Sequence, residues 1–231
     1  MYALISLNDA NYQPLADITW YKNKVKYAEK HGYRAFLKTE GFRPADLGFQ
    51  KLDLAKDVFK NHPDCEWVWW TGTDTLITNF ACRIEDRIDN NYHFIVATDV
   101  NGINTDSFLV RNSPEGNEFI NEVLSNEEEA NRYWDKEQRA IAMTLGLPAT
   151  GEQWPISPFV TLNEKYSSIA KIVPQRYMNS YNYQLYHYQD HRDKLGVNGN
   201  WEPGDWLIHW PGIMFEHRMH LAQFYIQNIR Y

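Results

Sequence analysis

The chain has 231 residues, two of them cysteine, with 43% hydrophobic, 23% charged and 15% aromatic residues and a formal net charge of −7. That length allows a sizeable buried core, and the acidic balance with no basic run argues against nucleic-acid binding through phosphate neutralisation. No stretch approaches the roughly 20 apolar residues that cross a bilayer, and the start, MYALISLNDANY, has neither the basic segment nor the full apolar run of a signal peptide.

The run at 2–7 is apolar and stops at Asn8-Asp9, as a buried strand ending in turn residues does. Residues 17–31 carry Ile18, Tyr21, Val25 and Ala28 at helical spacing, closed by Gly32. Residues 34–38 read as a strand, and 49–61 as a helix with Leu52, Ala55, Val58 and Phe59 on one face. Residues 66–70, Glu-Trp-Val-Trp-Trp, form a strand apolar enough to be buried on both faces. This strand–helix alternation predicts an α/β fold with a mostly parallel sheet covered by helices.

Further on, 84–89 predicts a short helix and 93–98 a strand. A Gly-Asn-rich loop at 101–106 leads into a strand at 107–111. Ser113-Pro114 opens a helix to about Leu124, and 135–145 is another, ended by Gly146. From Pro148 periodicity fades into Gly, Pro and aromatic residues, with short strands at 170–173 and 206–209 and an amphipathic helix from Glu216 on. The whole, 1–231, reads as one domain with an aromatic-rich portion at 148–231. High aromatic content fits either a Trp- and Tyr-rich core or a cleft that stacks on flat ligands. Cys65 and Cys82 lack metal-ligand spacing and read as reduced thiols.

Asp74 stands just past the 66–70 strand, after the small residues Thr71, Gly72 and Thr73. In open parallel sheets ligands bind beyond the carboxyl ends of the strands. A carboxylate there can hold a divalent cation, and the cation a diphosphate; a turn cap is the competing role. No Gly-x-Gly-x-x-Gly follows the first strand, which disfavours a dinucleotide-binding enzyme.

Ordered blocks extend this reading. Asn23-Lys24, Tyr27-Ala28 and His31-Gly32-Tyr33, then Lys51-Leu52, Lys56, His62-Pro63 and Glu66-Trp-Val-Trp-Trp70 occur in sequence. They are followed by Asn104 with Phe108-Leu-Val-Arg-Asn112, Glu137-Gln138 with Ala140-Ile141, and Ile208-His209 with Gly212. This pattern resembles the GT-A (Rossmann-like) glycosyltransferases of the galactosyl/mannosyl/xylosyltransferase family.

The resemblance implies a nucleotide-sugar donor, a UDP-sugar rather than GDP-mannose, and a glycan acceptor. It implies transfer of a hexose or pentose with retention at the anomeric carbon. It also implies a Mn²⁺ site built from Asp-x-Asp and a C-terminal histidine. Here the first Asp of that motif is Gly72, which leaves Asp74 and His209 as ligands and predicts a weakened site. Asn-x-Gly has become Asn104-Thr-Asp106, so Asp106 is a candidate for replacing the lost charge. By resemblance, Gln138 lies against the reactive face of the sugar, Glu137 holds hydroxyls of donor or acceptor, and Asn104 bonds a sugar hydroxyl. Thr73 and Gly212 join the donor site, Lys51 neutralises phosphate, and Ser6 and Asn8 hold the uridine. The expected setting is a soluble cytoplasmic or virus-encoded protein. A nucleotide-sugar- or carbohydrate-binding relative that has lost catalysis is the alternative.

Overall fold

The structure is a computed structural model in which residues 1–43, 46–154, 162–186 and 190–229 are described. Parts of the aromatic-rich portion, 155–161, 187–189 and 230–231, thus lie outside the described residues.

A six-stranded sheet runs in the order β2-β1-β3-β6-β5-β7. Its strands are β1 (Tyr2–Leu7), β2 (Arg34–Lys38), β3 (Trp67–Thr71), β5 (Phe94–Thr98), β6 (Ile103–Arg111) and β7 (Ala170–Val173). The β1–β2, β1–β3 and β5–β7 pairs are parallel and β6 is antiparallel to both neighbours, so every strand but β6 points the same way. A smaller sheet, ordered β4-β9-β8, joins β4 (Thr75–Ile77), β8 (Ser180–Tyr181) and β9 (Leu207–His209).

Trp67, Val68, Trp69 and Trp70 of β3 are all buried because helices cover both faces. Val68 and Trp70 pack among residues of α3 (Leu47–Asn61), α4 (Pro114–Ser125), α5 (Glu127–Ala130) and α6 (Lys136–Leu145). Trp67 and Trp69 face the layer of α2 (Val25–His31), where Trp69 stacks on Trp206 at 3.8 Å between ring centroids. Beneath α7 (Phe215–Asn228) a third cluster holds Leu15, Ile208, Trp210 and Ala222. The aromatic surplus therefore serves the core in large part. Cys65 and Cys82 are free thiols.

The first helical stretch differs from expectation. It begins with α1 (Gln13–Ala16), passes through a π-helical segment (Asp17–Lys24) and ends as α2. Its wider turns rotate the buried face, so Ile18, Thr19, Trp20, Asn23 and Lys24 point inward while Tyr21 is half exposed. Gly32 and Gly146 end α2 and α6 with φ of 71° and 72°, as glycine stop signals require. The expected loop at 101–106 is also corrected, because it is strand from Ile103 on. β5 and β6 form a hairpin that continues through a bulge to pair Ala97 with Asn104 and Thr98 with Ile103. Its turn is held by the Asp99 carboxylate, which accepts from the Asn101 and Gly102 N–H groups. The short helix at 84–89 is one 3₁₀ turn, Ile84–Asp86.

Candidate active site

β1 and β3 end side by side, and β6 starts beside the end of β3. A cleft of about 400 Å³ opens there, lined among others by Asn8, Lys51, Thr73, Asp74, Asp106 and Glu137. This is the position that an open α/β sheet offers a ligand, and the size suits a small-molecule site.

Three elements converge on one wall. The turn after β3 carries Asp74, β6 carries Asp106, and β9 carries His209 opposite Thr75. One ligand atom from each of these three lies within 4.8 Å of the other two. His209 Nε2 is 3.5 Å from Asp74 Oδ1 and 3.5 Å from Asp106 Oδ2. The imidazole is fully buried, and Nε2 has no hydrogen-bond partner. Its Nδ1 lies 2.8 Å from Asn179 Oδ1, which leaves Nε2 as the ring nitrogen that faces the carboxylates. Two carboxylate oxygens and an imidazole nitrogen suit a divalent cation such as Mn²⁺, and Asn179 orients the histidine as an outer-shell partner does.

The positive groups come from helices. Arg218 of α7 donates to Trp210 O at 3.0 Å and to the Tyr12 hydroxyl at 2.7 Å, and its Nη2 reaches Asp74 Oδ2 at 3.4 Å. Burial works to raise the Asp74 carboxyl, but His209 and Arg218 outweigh it and hold it below the ordinary carboxylate value. Lys51 of α3 is buried and donates to Glu137 Oε1 at 2.8 Å and Thr105 O at 3.2 Å, with Asp106 Oδ1 at 3.5 Å. Burial alone lowers an ammonium, yet Glu137 and Asp106 reverse the effect and keep the Lys51 value raised. Gly48 makes room for Glu137, because a Cβ at position 48 would stand 2.3 Å from Glu137 Oε2.

The turn that holds Asp74 is anchored from behind. Lys24 Nζ lies 3.0 Å from Gly72 O and 2.7 Å from Thr75 O, and Thr19 donates to Thr73 O at 2.7 Å. Asn23 donates to Ile77 O and accepts from its N–H. The π-helical segment thus points its polar side chains at the turn backbone. Lys24 is fully buried, and that burial lowers its value to about 7 against the pull of Asp74.

The structure brings Asn8, Lys51, Thr73, Asp74, Asp106, Glu137 and His209 together, and Asn8 Oδ1 is buried without a partner. Ser6, Asn104, Gln138 and Gly212 are not among the residues lining the cleft. Ser6 donates inside the sheet to Thr71 O at 2.8 Å. Asn104 bonds Tyr181 and Asp99 while accepting from the Asp106 N–H at 3.0 Å, so it shapes the strand that carries Asp106. Gln138 bridges Thr105 N and Thr150 Oγ1. Gly212 forms a left-handed turn, φ 68°, after β9. Arg218, Tyr12 and Asn179 escaped the sequence reading. Arg218 sits within an amphipathic helix, Asn179 precedes a two-residue strand, and neither position has a local signal of its partner.

A family model described as the galactosyl transferase GMA12/MNN10 family matches residues 5–91 and 89–212. A Schizosaccharomyces pombe protein named as an uncharacterized alpha-1,2-galactosyltransferase is 33% identical over 148 residues, 46% of this chain and 40% of that protein. The chain spans about two fifths of the length of the curated relatives it matches first. Among solved structures, a glycosyltransferase involved in glycosylation of the major capsid of PBCV-1 superposes with a TM-score of 0.69 at 15% identity, covering 96% of this chain and 98% of the other. The galactosyltransferase LgtC, solved with donor and acceptor sugar analogues, gives 0.55 at 10% identity, covering 99% and 96%. On these matches the chain belongs to the galactosyl transferase GMA12/MNN10 family and has the GT-A glycosyltransferase fold.

Proposed function

We propose that this chain transfers a hexose or pentose from a UDP-sugar to a hydroxyl of a glycan or other acceptor, with retention of anomeric configuration. The observation that carries this reading is the convergence of Asp74, Asp106 and the orphaned Nε2 of His209 on a cleft that also holds Arg218 and Lys51. Such a set suits a cation-bound diphosphate better than a neutral ligand. Asp74 and His209 would hold the divalent ion, which when bound neutralises charge on the departing diphosphate. Arg218 supplies a second, permanent positive charge at the same wall, and its fork geometry matches phosphate oxygens. Asn8 offers its unpartnered Oδ1 to a donor group of the nucleotide.

Glu137 and Gln138 are tied into hydrogen bonds, Glu137 to Lys51 and Thr105, Gln138 to Thr105 and Thr150. They therefore suit positioning roles better than nucleophilic attack. In the step proposed, the acceptor oxygen approaches the anomeric carbon on the face that the phosphate leaves. The bond to the phosphate oxygen breaks, and that oxygen takes the acceptor's proton. Orientation and preorganised charge then lower the barrier. The portion from 148 on, with its aromatic residues, would receive the acceptor.

Titration calorimetry of UDP, GDP and their sugar conjugates, with and without Mn²⁺, tests the reading. UDP-sugar binding strengthened by Mn²⁺ is expected. Absence of nucleotide binding at millimolar ligand defeats it, and tight binding with no turnover in any acceptor screen favours a binding protein instead.

A further inference from the structure

Resting on the metal-dependent reading above, we infer that Asp106 is a metal ligand and that the carboxylate absent at position 72 has moved to its cross-strand neighbour. The pairing of β3 with β6 sets Thr71 against Ser107, and one residue further the Gly72 N–H donates to Asp106 O at 2.9 Å. Residues opposed across an antiparallel pair project from the same face with Cβ atoms about 5 Å apart. A side chain at 72 and one at 106 therefore compete for the same space. A Cβ built on Gly72 would lie 3.5 Å from Asp106 Cβ, 3.4 Å from Asp106 Oδ1 and 3.0 Å from Asp74 Oδ1. Glycine at 72 leaves room that the Asp106 carboxylate fills.

Two independent features mark this as a site and not a chance acidic cluster. His209 Nε2 is buried, without a hydrogen-bond partner and 3.5 Å from each of the two carboxylates, while Asn179 holds the far side of the ring. The Asp106 carboxylate also divides its oxygens: Oδ1 lies 3.5 Å from Lys51 and Oδ2 lies 3.5 Å from His209. One oxygen is thus steadied by a buried ammonium while the other faces the histidine. Ligands of one octahedral ion lie about 3 Å apart. The observed separations are within 4.8 Å, and rotation of the half-buried Asp106 side chain would bring them to that distance. Three protein ligands result, two carboxylates and one imidazole, and the site predicted from sequence to be short of a carboxylate is complete.

The test is Mn²⁺ binding, read by loss of the free-ion paramagnetic resonance signal in the protein without nucleotide. Asp106→Asn and Asp106→Gly are each expected to weaken binding by at least about 10-fold, since even outer-shell changes cost that much. The exchange variant Gly72→Asp with Asp106→Gly returns the carboxylate to the other strand and is expected to recover most of the lost affinity. A thermal melt confirms folding of each variant, and the near-isosteric Asp106→Asn carries the test if the glycine variants unfold. Wild-type Mn²⁺ affinity in Asp106→Asn overturns the inference, as does an exchange variant no better than Asp106→Gly. Because neither donor nor turnover enters the measurement, failure of the glycosyl-transfer reading would leave a positive result standing.

Discussion

Replacing Lys51 by methionine isolates the charge at the floor of the cleft. Methionine keeps most of the buried stem, so packing changes little, while the ammonium disappears from a site 3% exposed. Glu137, 15% exposed, then retains the Thr105 hydroxyl at 2.9 Å but loses its cation at 2.8 Å. Removing one partner of a buried ion pair costs about 3–5 kcal/mol. Water still reaches Glu137 in part and Asp106 more, which brings the figure to about 2–4 kcal/mol. For a chain of this size that is a fall in Tm of roughly 5–15 °C. Adding Glu137→Gln removes the stranded charge. Urea unfolding of the wild type, both single variants and the double variant at pH 7 closes a thermodynamic cycle. The double variant should be more stable than additivity predicts by about 2 kcal/mol. Additive losses, or a Lys51→Met variant as stable as wild type, would show that Lys51 and Glu137 are not coupled in the fold.

Other consequences are open to measurement. Arg218→Met should weaken UDP binding by about 10-fold or more, the worth of a hydrogen bond to a charged group, and calorimetry showing unchanged affinity would contradict its place at the diphosphate. Asn179→Leu frees the His209 tautomer and should lower Mn²⁺ affinity by about 10- to 100-fold, with the Nδ1 proton lost from the imidazole NMR spectrum. Lys24, lowered to about 7 by burial, stays neutral in the folded state above that pH while the unfolded chain holds its proton up to about 10.5. Over that window the unfolded state binds more protons, so stability should rise with pH in the wild type relative to Lys24→Met. Parallel pH profiles for the two proteins would show that Lys24 is charged in the fold.

Much of the sheet was legible because each strand–helix unit carries local signals. The apolar runs of β1 and β3, the glycine stops at Gly32 and Gly146, and the Ser113 cap each act within a few residues. The π-helical segment was not legible, since its rotation of Thr19, Asn23 and Lys24 inward is driven by the turn they anchor, some 50 residues away. The pairing of Gly72 with Asp106 depends on antiparallel register, which no local pattern specifies. Glycine at 72 and a carboxylate at 106 look unrelated along the chain, and only the continuation of the β3–β6 pairing joins them. Arg218 enters the cleft because α7 folds back over Trp210, a long-range event without a motif.

Retaining transfer from a UDP-sugar at the cleft of Asp74, Asp106 and His209 would leave its mark on the configuration of the product. Its most direct test is proton NMR of the sugar released or transferred when the protein, Mn²⁺ and a panel of α-linked UDP-sugars are incubated with and without acceptors. A retaining transferase gives a first-formed product with the α configuration, produced alongside UDP and lost in Asp74→Ala with its fold intact. A β-configured first product, turnover unchanged in Asp74→Ala, or no consumption of any donor by well-folded protein would contradict it.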